Sequence, residues 1–256
     1  MIHKADFHIH SCVSPCGHLS MSPTLIAKTL KEKGITMAAL TDHNTALNCP
    51  TFKIACEKEG IIPFFGIEVQ SIEEVHVVCL FSELEKALTL SNEIYDLLPA
   101  IPYNPKKMGD QVYVDENEEI LGQVDKFLIT SADASITDIA NRVHKLGGLV
   151  IPAHVDRGAF SLTSQLGFIP KENWDALELA FNQGASQVHP YQSENLQEVS
   201  FELCGYPVIT ASDAHYPNHI ATKAFEFDDL DLPLQNADGS GNIISLKKIL
   251  ENRGPK

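Results

Sequence analysis

The chain has 256 residues, 44% of them hydrophobic, and its 34 acidic and 19 basic side chains give a formal charge of −15. This length allows one large hydrophobic core or two small domains. The acidic balance argues against an extended nucleic-acid surface, which needs a basic stripe, although divalent ions held by carboxylates would offset it locally.

Three features of the sequence indicate where in the cell the protein is located. No apolar run approaches the roughly 18–20 residues of a membrane helix, and the first motif begins too close to the N-terminus for a signal peptide. The six cysteines are scattered and lack the paired spacing of a structural zinc site. We therefore expect a cytoplasmic protein with reduced thiols and no membrane partner.

Seven short apolar or β-branched segments predict strands. They comprise residues 5–11, 35–40, 61–69, 75–81, 149–153, 175–181 and 207–211. Helical patterns separate most of them, the first opening at the N-cap candidate Ser22 and at Pro23, and ending at Gly34. Further helices are predicted at residues 50–59, 83–97, 136–146 and 245–251.

Residues 99–134 interrupt this alternation. Three prolines mark a loop there, and two β-type runs flank the acidic stretch 115–119, as in a β-hairpin. We predict a single domain over residues 1–256, with 99–134 as an insertion or lid. Alternating strands and helices predict an α/β fold with a parallel sheet, and seven units favour a (β/α)7 barrel whose functional residues gather at the carboxyl ends of the strands.

Metal-ligand side chains stand at or near an end of six of the seven predicted strands. They are His8, His10, His43, Glu68, His76, His154, Asp213 and His215. Glu68 is the most informative, because a carboxylate in an apolar strand is costly unless it is paired or metal-bound. His76 lies at the start of its strand rather than its end, which indicates a tight β-turn-β excursion at the barrel mouth. His18, in the loop after the first strand, can fold over the same mouth.

This number of ligands exceeds the needs of one ion. A catalytic transition-metal site takes about three or four protein ligands, so the set would fill two or three sites with a bridging carboxylate. Metals about 3.5–4 Å apart can hold the attacking and leaving oxygens of a phosphoryl displacement. The residues therefore predict a multinuclear metallohydrolase.

Six motifs, in order, resemble those of the PHP (polymerase and histidinol phosphatase) family. They are Asp6-Phe7-His8-Ile9-His10-Ser11, Thr41-Asp42-His43-Asn44, Gly66-Ile67-Glu68-Val69, Val75-His76-Val77, Pro152-Ala153-His154 and Ser212-Asp213-Ala214-His215. The resemblance implies a distorted seven-stranded barrel with three divalent metals. It would place His8, His10, Glu68 and Asp213 around the first metal, and Glu68, His76 and His154 around the second. His43 and His215 would bind the third, with a residue from the loop after the first strand.

That loop departs from the family pattern, which usually has Asp or His there. It reads Ser14-Pro15-Cys16-Gly17-His18, so Cys16 or His18 could serve, and we favour His18. A thiolate would favour zinc, whereas His18 leaves zinc, manganese or iron open.

The expected reaction is attack by a metal-bridging hydroxide on a phosphate ester, with the metals neutralising charge on the phosphoryl oxygens. Asp42 could orient His43 or a metal-bound water, or could equally cap a helix. Arg157 could hold phosphate oxygens, and His219 is a further substrate-binding candidate. Asp6 is interpreted as a buried partner that supports the imidazoles.

A small phosphomonoester or nucleotide is the expected substrate. A histidinol phosphatase and a non-catalytic, metal-binding regulatory module are the alternatives. Residues 99–134 and 155–173 are the loops expected to determine specificity.

Overall fold

The computed structural model describes residues 1–101, 103–180 and 203–253. Its strands there are β1 (Ile2–Asp6), β2 (Met37–Leu40), β3 (Ile62–Gln70), β4 (His76–Phe81), β5 (Val112–Val114), β6 (Ile120–Gln123), β7 (Leu149–Pro152), β8 (Leu177–Leu179), β9 (Val208–Thr210) and β10 (Phe225–Asp228). The helices are α1 (Pro23–Glu32), α2 (Cys49–Glu59), α3 (Leu84–Leu97), α4 (Pro105–Met108), α5 (Ile136–Lys145), α6 (Leu162–Leu166) and α7 (Ile243–Glu251). The predicted sixth strand included Phe181, which lies outside the described residues.

Seven of the strands, β1 to β4 and β7 to β9, form a strongly curled, distorted barrel, and β10 pairs antiparallel with β1. The main sheet has the order β10-β1-β2-β3-β4-β7, and β8 pairs with β9 in parallel. The Val155 amide donates to the Glu178 carbonyl at 2.8 Å beside β7 and β8, and a parallel bridge joins Ile9 to Ala214 beyond the ends of β1 and β9. The prediction of a distorted seven-stranded α/β barrel is confirmed.

The barrel is not wholly parallel, contrary to the alternation argument. Strand β4 runs antiparallel to both β3 and β7, with Gln70 opposite His76. The cause is the short connection 71–75, because a parallel crossover needs a dozen or more residues. Reversal of β4 brings His76, at its start, to the same rim as Glu68, near the end of β3. The tight β-turn-β connection predicted at the barrel mouth is therefore present, formed by β3 and β4.

An apolar layer lies directly below this rim. Phe64 shares one face of β3 with Glu68, since side chains alternate along a strand. Phe64 is buried in a cluster with Val78, Leu80 and Phe7, which helix α7 and strand β10 also join. The polar rim therefore stands on a dry, packed base, which fixes the strand ends that carry it.

The predicted hairpin in residues 99–134 forms from β5 and β6. It is tied to the barrel by hydrogen bonds, with the Val114 amide donating to Asn48 Oδ1 at 3.0 Å and Thr51 Oγ1 donating to the Val114 carbonyl at 2.6 Å. All six cysteines lie in the described part of the chain, and none forms a disulfide. Among the described residues, no helix has the length and apolar content required to traverse a bilayer.

Candidate metal centre

Glu68 lies at the centre of the polar rim. Two backbone hydrogen bonds join Glu68 to the residues that follow β2. The Glu68 amide donates to the Asp42 carbonyl at 3.0 Å, and the Glu68 carbonyl accepts from the Asn44 amide at 2.9 Å. Five imidazoles approach its two carboxylate oxygens at 2.9–3.4 Å: His43, His76, His8, His10 and His154. The Glu68 side chain is 1% exposed. Residues from four separated parts of the sequence therefore converge on one buried carboxylate.

Asp213 supplies a second carboxylate beside the first. Its Oδ1 lies 3.1 Å from His10 Nε2 and 3.4 Å from His8 Nε2. The backbone of Asp213 has a φ of 49° and that of His154 has a φ of 31°. Left-handed backbone at non-glycine residues costs of order 1–3 kcal/mol and is typical of functional sites.

Several buried polar atoms of this cluster lack a hydrogen-bond partner. Across the described ranges they are His43 Nδ1, both Glu68 oxygens, His76 Nε2, His154 Nδ1 and Asp213 Oδ1, with Gln70 Oε1 as the one such atom elsewhere. The imidazole nitrogens nearest Glu68 lie 2.9–3.4 Å from its oxygens, close enough for electrostatic attraction. Buried polar groups normally find partners, so this set fits divalent cations, for which imidazole and carboxylate are the usual ligands.

Three groups of these side chains are compact enough to hold an ion each, with their ligand atoms within 4.8 Å of one another. They are His8, His10 and Asp213; His43, Glu68 and His76; and His10, His43 and His215. Seven of the eight ligands expected at strand ends belong to these groups, and the eighth, His154, lies 3.4 Å from Glu68 Oε1.

The charges of the cluster are strongly coupled. Burial would raise the pKa of the Glu68 carboxyl, but the surrounding imidazoles, His76 foremost, hold it well below its usual range. Burial opposes protonation of His43, yet the Glu68 carboxylate raises its pKa to about 10. Burial and the charges of His215 and His43 lower the pKa of His10 well below its ordinary value. The centre therefore keeps an ionised carboxylate in a buried position, as cation binding requires.

Cys16, rather than His18, occupies the loop position at the cluster. Cys16 lines the cavity above Glu68 together with His43 and His215. Burial would raise the pKa of its thiol, but the neighbouring imidazoles of His215 and His43 lower it to about 7. The expectation for His18 is corrected, since its side chain is exposed and Nδ1 lies 2.8 Å from Ser20 Oγ.

Asp42 is buried below the loop and does not line the cavity. It accepts hydrogen bonds from the Ser11 amide at 2.6 Å, from Ser11 Oγ at 2.7 Å and from Ser14 Oγ at 2.7 Å. Ser14 Oγ in turn lies 3.1 Å from His10 Nδ1. Asp42 therefore positions the loop and, through Ser14, both His10 and the His43 backbone, whose amide donates to Ser14 Oγ at 3.2 Å, and it caps none of the described helices.

Asp6 also differs from its predicted role. It accepts the amides of Ser212 at 3.0 Å and Ala221 at 2.9 Å, so it supports the backbone beside Asp213 rather than an imidazole.

Sequence reasoning missed Glu178, in strand β8. Its Oε2 lies 2.8 Å from His8 Nδ1, and its side chain is 2% exposed. A carboxylate behind an imidazole fixes the tautomer that leaves the other nitrogen free for a metal. The signal was present in the sequence, because Glu178 is a carboxylate between two leucines in a short strand, like Glu68 in its own strand.

A cavity of about 540 Å³ opens above the cluster. Arg157 lines it and its Nη1 lies 2.5 Å from Asp213 Oδ2. Ile129 and Phe160 form an apolar part of the wall, with the Phe160 ring stacked on His76 at 4.9 Å. His219, the other predicted substrate-binding residue, is exposed beside Tyr216 and does not line the cavity.

Comparison with known proteins places this geometry in context. The uncharacterized protein MJ1587 of Methanocaldococcus jannaschii is 29% identical over 161 residues, which are 56% of this chain and 92% of that protein. The lesion-specific endonuclease PfuEndoQ of Pyrococcus furiosus has a similar fold, with a TM-score of 0.61 at 18% identity over 98% of this chain. The match spans only 56% of the endonuclease chain.

A proposed metal-dependent phosphoesterase from Bifidobacterium adolescentis matches this chain over nearly its whole length. Its TM-score is 0.53 at 16% identity, and the match covers 98% of this chain and 96% of that one. At these identities the two structures establish the fold alone. The profile of the PHP domain matches residues 6–148, more than half of the sequence. The chain therefore belongs to the PHP domain family.

Proposed function

We propose that this protein is a metal-dependent phosphoesterase that hydrolyses small phosphorylated compounds. The observation that carries the proposal is Glu68, a buried carboxylate without hydrogen-bond partners, surrounded by five imidazoles at the base of an open cavity. Packing of the barrel does not require a buried carboxylate among five imidazoles, and these side chains are the ligands of a multinuclear metal site.

Two or three divalent ions of zinc, manganese or iron fit the donor set. The first would be held by His8, His10, Glu68 and Asp213, the second by Glu68, His76 and His154, and a third by His43 and His215 with the loop. Bound there, such ions would lower the pKa of a water and neutralise charge on phosphoryl oxygens.

The remaining side chains of the site bind the substrate or orient the metal ligands. Arg157 is partly exposed, and Nη1 engages Asp213, so its other N–H groups are free to donate to phosphate oxygens in the cavity. Glu178 and Ser14 fix the rings of His8 and His10 from behind. These contacts hold the ligand set in place before a substrate arrives.

The cavity favours a small substrate with an apolar or planar portion. Its volume of about 540 Å³ is that of a small-molecule site, and Ile129 and Phe160 offer an apolar wall beside the metal ligands. Ile129 comes from residues 99–134, so we assign that segment the role of a lid within a single domain. The formal charge of −15 disfavours a polymeric nucleic acid.

The test is a phosphatase screen on protein stripped of metal and then reloaded with zinc, manganese or iron. The panel holds nucleotides, sugar phosphates, histidinol phosphate and duplex DNA with and without an abasic lesion. We expect turnover of a phosphomonoester that needs added metal, and Glu68→Gln should lower kcat by about 100-fold or more. Glu32→Gln, at an exposed position on α1, is the matched control and should retain full activity.

Three outcomes would contradict the proposal. Turnover that survives complete metal removal would exclude the metal-dependent reaction. Stoichiometric metal with no turnover of any phosphate ester would assign a non-catalytic metal module instead. Cleavage of the lesion-containing duplex alone would assign a nuclease.

A further inference from the structure

The loop between β1 and α1 brings a sulfur atom to the metal centre. Three backbone contacts fold it: the Ser14 amide donates to the Ser11 carbonyl at 3.1 Å, the Gly17 amide to the Ser14 carbonyl at 2.8 Å, and the His18 amide to the His215 carbonyl at 2.9 Å. A Cβ added at Gly17 would meet the Ser11 carbonyl oxygen at 2.7 Å, so the turn is tight. Its geometry turns Cys16 toward the cavity and His18 toward solvent.

The sulfur lies against two imidazoles of the cluster. Cys16 lines the same cavity as His43 and His215, and its thiol interacts electrostatically with both imidazoles. His43 is 4% exposed, and its Nδ1 has no hydrogen-bond partner, which marks a nitrogen available to a ligand. The His10 ring stacks on the His215 ring with their centroids 4.2 Å apart, so a third imidazole lies beside this pair of histidines.

We propose that Cys16 is a thiolate ligand of the ion held by His43 and His215, and that it makes this position selective for zinc. The inference rests on the metal centre of the proposed function. Sulfur and imidazole ligands together favour zinc, whereas a carboxylate in the same place would admit manganese more readily. The nitrogen and oxygen ligands around Glu68 do not favour zinc in this way. The metal positions within the centre would therefore differ in the ion they prefer.

Cobalt(II) is the probe that reports the sulfur directly. Metal-free wild-type protein is titrated with cobalt(II) in the absence of substrate, and the near-ultraviolet sulfur-to-cobalt charge-transfer band is recorded. We expect the band in the wild type and its loss in Cys16→Asp, which retains one anionic ligand but replaces sulfur with oxygen. The ratio of zinc to manganese affinity should fall by about tenfold or more in the same variant.

Cys12→Ser is the matched control, because Cys12 belongs to the same loop. Its sulfur faces the Val112 carbonyl at 3.6 Å rather than the cavity, so the variant should retain the band. Circular dichroism verifies that each variant is folded. Absence of the band from wild-type protein, or its persistence in Cys16→Asp, would overturn the proposal. Either result is obtained without substrate and is independent of whether the protein hydrolyses a phosphate ester.

Discussion

Two buried glutamates, Glu68 and Glu178, show what a single residue contributes to this centre. Each stands in a strand among apolar neighbours, and each has its carboxylate against imidazole nitrogens. Glu68 faces the cavity, whereas Glu178 lies behind His8. A glutamate in an apolar strand can therefore face the metal centre, as Glu68 does, or support a ligand from behind, as Glu178 does. Which role it has depends on the side of the His8 ring on which it lies.

At this scale we predict that Glu178→Gln weakens metal binding without unfolding the protein. The amide keeps the size of the side chain but loses the charge that orients and polarises His8. Loss of such a partner typically costs 10–100-fold in metal affinity, so a decrease of roughly that size is expected. Competition with a chelator measures it, with Glu32→Gln as the surface control. An unchanged affinity would show that Glu178 does not act through His8.

The hairpin of β3 and β4 is the element that assembles the centre. It places Glu68 and His76 on one rim, because the strands pair antiparallel across a short turn. Its close packing depends on Gly66, where an added Cβ would meet the Cys79 carbonyl oxygen at 2.2 Å and Thr41 Cγ2 at 3.2 Å. No flexible side chain can give way at the first contact, since it is backbone.

We therefore predict that Gly66→Ala destabilises the fold by about 1–3 kcal/mol, the usual cost of overpacking. Metal affinity should fall as well, because Gly66 lies two residues before Glu68 on the same face of β3. Urea denaturation of metal-free protein gives the first quantity, and chelator competition gives the second. A midpoint equal to that of the wild type would contradict the close approach of β3 and β4.

For the whole molecule, the centre links distant parts of the chain. Its ligands come from the ends of β1, β2, β3, β7 and β9 and from the start of β4, so a bound ion would tie the barrel rim together. Binding to the folded state alone stabilises it by about 2.7 kcal/mol when free metal is 100 times Kd.

We predict that zinc at this excess raises Tm by about 5–10 °C, and that a chelator reverses the shift. Differential scanning fluorimetry measures it. A Tm that does not respond to zinc or chelator would mean that the folded chain has no preference for the metal.

The same stabilisation should depend on pH. The Glu68 carboxylate raises the pKa of His43 to about 10, so the metal-free chain carries a proton there at neutral pH. Metal binding needs the neutral imidazole, and an ion bound by His43 therefore displaces a proton. Zinc affinity should rise from pH 6 toward pH 10 by this competition, with proton release detected by calorimetry in buffers of different ionisation enthalpy. Affinity that is constant over this range would contradict the coupling.

The sequence by itself determined which metal-binding side chains this protein carries and how its strands and helices alternate. Side chains that bind metals recur at the ends of apolar strands, and this local pattern, with the order of the motifs, was enough to predict the family and the seven-stranded barrel. Such inferences succeed because they depend on residue type and on a period of two along a strand.

Only the tertiary structure decided which candidates meet. Strand β4 reverses because its turn is short, Cys16 enters the cavity because the loop folds in tight turns, and Asp42 faces away because Ser11 and Ser14 occupy its oxygens. Glu178 acquires its role only when β8 packs behind His8. These outcomes depend on backbone turns and on contacts between residues far apart in sequence, which no local pattern encodes.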